Sequence, residues 1–172
     1  MVGLTSKNPV EAIALPAAGR RLQPLLVYRQ VVPPGGDTAA AFEALFARHG
    51  WSGGWRNGIF GYDHFHATTH EDLGIARGRV RVRFGGDGGV EAEVSAGDVV
   101  VVPAGAAHRN LGASRDLLVV GAYPDGRTPD RSTGTPNQSP PAMAEIGRVP
   151  VPSADPVFGR EGPLRQHWHE PE

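Results

Sequence analysis

A series of short runs of β-forming residues, separated by turns that contain glycine, fills the middle of the chain between Trp51 and Tyr123. The runs cover residues 55–60, 63–68, 73–76, 80–84, 90–94, 99–102 and 117–123. Several short strands at this spacing, with turn signals between them, favour an antiparallel sandwich or barrel. The glycine-rich segment 85–89 is predicted to be a hairpin loop, because it joins two alternating runs and no helix follows it to bind a phosphate. The sequence therefore predicts an all-β fold.

One strand and one helix are predicted ahead of this region. Residues 1–21 have no periodicity and are interpreted as an N-terminal arm. The apolar run 22–32 is predicted to be a strand that stops at a Pro-Pro-Gly-Gly turn. A helix is predicted over 37–49, because Asp37 or Thr38 can cap it and apolar residues then recur along one face until a glycine ends it. Its aromatic stripe is interpreted as a packing surface.

The segment after Tyr123 is predicted to be an irregular extension. It holds most of the 16 prolines of the chain, and only a short helix over 141–146 is expected to interrupt it. Because it still carries apolar residues such as Leu164 and Trp168, it is interpreted as an ordered extension laid over the barrel or a neighbouring subunit. The predicted organisation is an arm (1–21), a barrel domain (22–123, including the helix 37–49) and a Pro-rich extension (124–172).

Composition excludes several classes of function. The 172 residues suit one domain with a real hydrophobic core. The net charge of -1, without a long run of one sign, gives no reason to expect a nucleic-acid or anionic-membrane partner. With no cysteine, a metal site must use imidazole and oxygen ligands. Since neither a signal peptide nor a membrane-spanning run is recognisable, the protein is expected to be soluble and cytoplasmic.

The segment GIFGYDHFHATTHEDLGIARG, residues 58–78, concentrates three of the seven histidines. Because residues two apart in a strand point to the same side, His64 and His66 project together. If the chain turns and resumes as a strand, Glu71 swings back beside them, and His108 arrives at the end of an apolar strand and a Pro/Gly turn. Three imidazoles and one carboxylate suit Fe(II), Mn(II), Ni(II), Cu(II) or Zn(II), and leave positions for water or substrate. The sequence does not choose among these metals.

Each of these residues also has a reading without a metal. The two leading histidines can be satisfied pocket residues of a barrel that has lost its metal, and Glu71 can bind a backbone group or an arginine. His70 directly precedes Glu71, so strand alternation sends the two side chains to opposite faces. Glu71 is favoured as the ligand, although a bulge at Thr68 and Thr69 would put His70 in its place.

Other polar residues near this segment are weaker candidates. Arg56 and Asn57 precede it and are possible cavity residues. The arginines at 77, 79, 81 and 83 alternate with valine or glycine, a pattern typical of a solvent-facing sheet. The sequence identifies no substrate-binding cation or carboxylate.

The spacing of these residues resembles that of the cupin superfamily. The first cupin motif, G(X)5HXH(X)4E(X)6G, is matched in full by Gly58, His64, His66, Glu71 and Gly78. The second, G(X)5PXG(X)2H(X)3N, is matched by Gly97, Pro103, Gly105 and His108. Its last position holds Gly112 instead of Asn, and Asn110 stands two residues earlier. That Asn is generally structural, so the departure affects the loop more than the metal site.

The chain as a whole is similar to the small YjlB-type cupins through HFHATTHEDLG, AGDVVVVPAGAAH, VVGAYP, DPVFG and GPL. The resemblance implies a cupin barrel, that is, a double-stranded β-helix or jelly roll. It also implies a divalent transition metal held by His64, His66, Glu71 and His108.

Small cupins of this kind include dioxygenases, isomerases and epimerases, so a metal-dependent enzyme acting on a small organic molecule is expected. A non-catalytic small-molecule-binding module is the alternative, and a storage-type barrel a third. The absence of a helix-turn-helix segment counts against a sugar-responsive regulator. A homodimer paired through edge strands is expected.

Overall fold

Eleven strands and three short helices make up the fold in a computed structural model that describes residues 10–16, 22–33 and 35–170. The strands are β1 (Val10–Ile13), β2 (Leu25–Tyr28), β3 (Trp51–Asn57), β4 (His64–Phe65), β5 (Glu71–Arg77), β6 (Arg79–Phe84), β7 (Val90–Ser95), β8 (Val99–Val102), β9 (His108–Ala113), β10 (Leu118–Pro124) and β11 (Ser132–Thr133). The helices are α1 (Thr38–Arg48), α2 (Pro140–Ile146) and α3 (Leu164–His167), with a 3-10 turn at Pro136–Gln138. The parts of the predicted arm and extension at 1–9, 17–21 and 171–172 lie outside the described residues.

The strands form two antiparallel sheets. The first has the order β1-β2-β8-β5-β10-β3, and the second the order β11-β4-β9-β6-β7. Since chain neighbours such as β4 and β5 belong to different sheets, the chain crosses repeatedly between two layers, as a jelly roll requires. The prediction of an all-β cupin barrel is confirmed.

Two apolar clusters pack on opposite faces of the first sheet. Leu73, Ile75 and Val100 face the second sheet and form the barrel interior with Val80, Val82 and Phe84 from β6. On the outer face, Val99 and Val101 pack against α1 and the C-terminal segment. Alternate residues of one strand therefore pack into the two different clusters, so both faces of β8 are buried. This is why its sequence is four consecutive valines. Each fully buried side chain of this size contributes about 1.5–3 kcal/mol to stability.

The predicted helix over 37–49 corresponds to α1. The carboxylate of Asp37 accepts a hydrogen bond from the backbone N–H of Ala40 at 3.0 Å and caps its N-terminus. Phe42 and Phe46 cover the sheet with their rings 5.5 Å apart. Gly74 of β5 allows this close packing, because a Cβ there would lie only 2.8 Å from Cγ of Phe42.

Some strand boundaries differ from the predicted ones. The run predicted as 63–68 is a strand only over His64–Phe65. The backbone N–H groups of Ala67 and Thr68 donate to the side chain of Asp130 and not to a neighbouring strand, so the strand does not continue. Strand β9 was not predicted, since HRNLGA has neither alternation nor β-branched residues. Strands β1 and β11 were not predicted either, because they lie in the segments interpreted as the arm and the irregular extension. The predicted hairpin at 85–89 is confirmed, with Phe84 paired to Val90 across it.

The C-terminal segment is held to the barrel by a buried carboxylate. Asp155 accepts hydrogen bonds from the hydroxyl of Tyr28 and from the backbone N–H groups of Val157, Phe158 and Leu164. The indole of Trp168 is also buried and donates to the carbonyl of Pro24 at 2.8 Å. Within the described ranges, no helix has both the length and the apolar character needed to cross a membrane.

Candidate metal centre

Three histidine side chains converge at one end of the barrel interior. His64 of β4 is paired directly with His108 of β9, and their ring centroids lie 3.9 Å apart. His66 follows two residues after His64, and its ring lies 5.8 Å from that of His64. One ring nitrogen of each of the three histidines lies within 4.8 Å of the others, and all three side chains are buried.

Glu71 brings a carboxylate to the same point from the other sheet. Its Oε1 lies 3.4 Å from Nε2 of His66 and 3.4 Å from Nε2 of His108. Glu71 begins β5, where it is paired with Val102, and its side chain shares the inner face with Leu73 and Ile75. The site is thus assembled from both sheets.

His70 points away from this cluster. Its Nδ1 accepts a hydrogen bond from the backbone N–H of Ala104 at 2.8 Å, and its Nε2 lies 3.0 Å from the carbonyl of Pro150. The ring packs against Trp168, with centroids 4.6 Å apart. The alternation expected between His70 and Glu71 is present, and the structure places Glu71, not His70, beside the other histidines.

Backbone carbonyls fix the orientation of two of the three rings. Nδ1 of His108 lies 3.0 Å from the carbonyl of Ala106, and Nδ1 of His66 lies 2.5 Å from the carbonyl of Asp130. Because a carbonyl only accepts, each Nδ1 carries the proton and donates it. In the neutral ring, Nε2 then has a free lone pair that points at the cluster, which is the arrangement usual for metal-binding histidines.

Several polar atoms of the clustered residues are buried without a hydrogen bond. They are Nδ1 of His64, Nε2 of His66 and Oε1 of Glu71. The 3.4 Å ion-pair contacts of Glu71 lack hydrogen-bond geometry, so they do not satisfy these atoms. Leaving such groups buried and unpaired costs about 1–3 kcal/mol each. A cation between Nε2 of His66 and Oε1 of Glu71 would satisfy both atoms, and each of the three histidines has one ring nitrogen within 4.8 Å of the others, so the donor set fits a divalent metal.

The charges of the cluster are coupled. Burial, followed by the nearby His108 and His66, lowers the pKa of His64 to about 4. Burial also opposes charge on His66 and Glu71, but their attraction is stronger, so the pKa of His66 is raised and that of Glu71 is lowered. Without a metal, Glu71 is therefore anionic and His64 neutral, and His66 keeps its second proton to a higher pH than a free imidazole does.

A cavity of about 400 Å³ opens onto these four residues. Its walls are largely apolar and aromatic, with Trp55, Ile59, Phe60, Leu73 and Tyr123 among them, and Arg131 lies at its edge. The indole N–H of Trp55 donates to the hydroxyl of Tyr123 at 2.8 Å. Burial, followed by the charge of Glu71, raises the pKa of Tyr123, so its hydroxyl stays protonated near the cluster. Of the weaker candidates, Asn57 lines the cavity, whereas Arg56 forms an exposed ion pair with Glu43.

Asp130 supports the site from outside the barrel strands. Its carboxylate accepts from the N–H of Ala67 at 3.0 Å and from the N–H and hydroxyl of Thr68 at 2.9 and 2.7 Å. Burial opposes its charge, but the Ala67 and Thr68 bonds outweigh burial and lower the pKa of Asp130.

Sequence reasoning missed Asp130, Arg131 and Tyr123. Only Tyr123 carried a signal, since the alternation of the predicted strand 117–123 places it on the same face as the buried Val119.

Known proteins include several to which the chain is similar. No protein-family model matches the chain. Among solved structures, the chain is similar to acireductone dioxygenase from Bacillus anthracis, which has a cadmium ion in its active centre (20% identity, 54% of this chain and 63% of that chain, TM-score 0.38). It is also similar to a mutant of Bacillus subtilis oxalate decarboxylase (18% identity, 66% and 28% covered, TM-score 0.38). The chain spans less than two thirds of either structure.

A curated relative is much more similar. The uncharacterized protein YjlB of Bacillus subtilis (strain 168) is 40% identical over 145 residues, which cover 84% of this chain and 86% of that protein. Identity of this extent is accompanied here by the two-sheet barrel, by the full first cupin motif and by four positions of the second. The chain therefore belongs to the YjlB family of cupins.

Proposed function

We propose that the protein binds a divalent transition metal through His64, His66, Glu71 and His108, and that the metal acts on a small organic molecule in the adjoining cavity. The observation that carries the proposal is the convergence of buried polar atoms without partners from both sheets. Protein interiors rarely leave such groups unsatisfied, and a site that does so at several atoms around one point is built for a ligand.

The donor set restricts the chemistry. Three imidazoles and one carboxylate suit Fe, Mn, Ni, Cu or Zn, and such a metal, when bound, supplies a Lewis acid or a redox centre with open positions. The carbonyls of Ala106 and Asp130 hold two of the imidazoles in the tautomer that leaves Nε2 free. The apolar walls limit access of water and so strengthen every charge interaction inside the cavity.

Catalysis is favoured over simple binding because a proton donor, the hydroxyl of Tyr123, lies beside the cluster and the cavity leaves room for a substrate. Tyr123 presents a protonated hydroxyl near Glu71, and the cavity is large enough for a small molecule. We propose a metal-dependent enzyme of the dioxygenase or isomerase type. An oxygen-consumption screen with the Fe(II)-loaded protein separates these two reactions. Ligand binding that chelation leaves unaffected, without turnover, would instead support the non-catalytic binding module.

Elemental analysis of protein purified without added metal tests the metal site. The wild type is expected to contain about one metal per chain, and the double variant His64→Ala/His108→Ala to contain none. His169→Ala is the matched control, because His169 is exposed and its described hydrogen bonds use only its backbone. Unchanged metal content in the double variant overturns the proposal.

The cytoplasmic location and the homodimer expected from the sequence remain predictions. In the part of the chain that the structure describes, β1, β3, β7 and β11 each have a neighbour on one side only. Such edges are available for pairing with a second copy. Light scattering during size exclusion would measure the mass directly.

A further inference from the structure

Among the described residues, Arg131 is the only lysine or arginine that lines the metal-centre cavity. We propose that its guanidinium binds the carboxylate of the substrate, so that the protein acts on small organic acids with an apolar body. This inference rests on the proposed function, since it assigns the substrate class of the same site.

The backbone around Arg131 is fixed on both sides. The carboxylate of the preceding Asp130 holds Ala67 and Thr68, just beyond His66. The following residue, Ser132, begins β11 and is paired with Phe65 of β4. Arg131 is thus tied to the strand that carries the histidines, and this position favours a role in the cavity over that of a loose surface residue.

The side chain of Arg131 reaches over an exposed aromatic pair. Its Cζ lies 5.0 Å from the ring centroid of Phe60, and the Phe60 ring lies 5.1 Å from that of His64. Phe60 is stacked on Tyr62 at 5.0 Å, and these two are the large apolar side chains exposed among the described residues. Exposed aromatic groups next to a cavity are typical of a binding surface.

The guanidinium has no protein anion to neutralise it. Among the described residues, the arginine ion pairs are formed by other arginines, such as Arg83 with Asp63 at 2.9 Å, and none involves Arg131. Its neighbour Asp130 is occupied by backbone and hydroxyl donors. Stacking on a ring face leaves the edge of a guanidinium free to donate two parallel hydrogen bonds.

The occupant is expected to carry one negative charge. A carboxylate matches the planar fork of one guanidinium and its single charge. Phosphate sites usually gather several donors or cations around the group, whereas Arg131 is the single lysine or arginine that lines this cavity among the described residues. The apolar side chains of Ile59 and Leu73 then face the rest of the molecule. The geometry therefore favours a small monocarboxylic acid over a phosphorylated compound.

Titration calorimetry tests this proposal by comparing the binding of phenylacetate and hexanoate with the binding of their neutral amides. Inorganic phosphate serves as a third probe. The titrations use the wild type, Arg131→Met and Arg131→Lys. Arg148→Met is the matched control, because Arg148 is exposed, lies outside the cavity and pairs with Glu145. Each protein is measured both loaded with Mn(II) and after EDTA treatment.

The wild type is expected to bind both carboxylates more tightly than their amides. Arg131→Met is expected to weaken carboxylate binding at least about tenfold and to leave amide binding unchanged, with Arg131→Lys in between and Arg148→Met like the wild type. Equal binding of acid and amide, an equal loss in Arg148→Met, tighter binding of phosphate, or no carboxylate binding at millimolar concentration each overturns the proposal. If the wild type takes up no metal, the proposed function fails. In that case, weaker carboxylate binding by EDTA-treated Arg131→Met than by the EDTA-treated wild type still supports the role of Arg131.

Discussion

His64 and His108 stand directly opposite each other on neighbouring strands, with their ring centroids 3.9 Å apart and both side chains buried. Burial, followed by the nearby His108 and His66, lowers the pKa of His64 to about 4. His64 is therefore neutral at physiological pH, and the neutral imidazole is the form that binds a metal.

Replacement of Glu71 by Gln tests whether the carboxylate belongs to the metal site. Glu71→Gln keeps the size of the side chain but removes the anion that lies 3.4 Å from both His66 and His108. We expect metal affinity to fall roughly 100-fold or more, since loss of even an outer-shell partner costs 10–100-fold. Competition with a chromophoric chelator measures the affinity.

The adjacent residue offers the control for this experiment. Asp72 is also fully buried, but strand alternation turns it to the opposite face of β5. Asp72→Asn is therefore expected to keep the metal affinity within about twofold of the wild type. Equal losses in the two variants would mean that Glu71 acts only through the fold.

Metal affinity is expected to fall with falling pH. Burial opposes the charge of His66, but in the metal-free protein the carboxylate of Glu71 outweighs burial and raises the pKa of His66, so a proton competes with a metal for this ring up to a higher pH than at a free imidazole. As the pH falls through this raised pKa, protons compete more strongly and the apparent dissociation constant rises. Chelator competition between about pH 8 and about pH 5 measures the slope. A constant affinity over this range would contradict the role of His66.

Strand alternation accounts for what could be predicted of the site. It placed His64 and His66 on one face and separated Glu71 from His70. Asp130 and Arg131 could not be found in this way, because they lie in an irregular loop whose position depends on hydrogen bonds to Ala67 and Thr68. Contacts between distant segments leave no periodic pattern in a single sequence.

Gly121→Ala is expected to disturb the cavity wall. A Cβ on Gly121 would clash with the indole of Trp55, which must then move and lose its 2.8 Å hydrogen bond to Tyr123. Overpacking of this kind costs about 1–3 kcal/mol of stability. Chemical denaturation measures the loss.

Gly58→Ala is the matched control for this substitution. Gly58 lies at the rim of the same cavity, but a Cβ there meets no atom within 4 Å. Its stability is expected to stay within about 0.5 kcal/mol of the wild type. If Gly121→Ala is as stable as Gly58→Ala, the indole has room to move and does not form a rigid wall.

The pH dependence of stability is expected to reveal His70. Both ring nitrogens of this buried histidine are used, since Nδ1 accepts from the N–H of Ala104 and Nε2–H donates to Pro150. A second ring proton would face the Ala104 N–H, and burial lowers the pKa of His70 to about 4. The unfolded chain takes up this proton near pH 6.5, so the contribution of His70 is complete above that pH and is lost as the pH falls toward 4, by roughly 3 kcal/mol in all.

In His70→Asn, whose amide oxygen can still accept from Ala104, the free energy of unfolding is expected to fall by about 1 kcal/mol at pH 8. Because Asn does not titrate, the gap between wild type and variant should then close, and reverse, between about pH 6.5 and about pH 4. Parallel curves of unfolding free energy against pH would show that His70 is protonated as easily in the folded protein as in the unfolded chain.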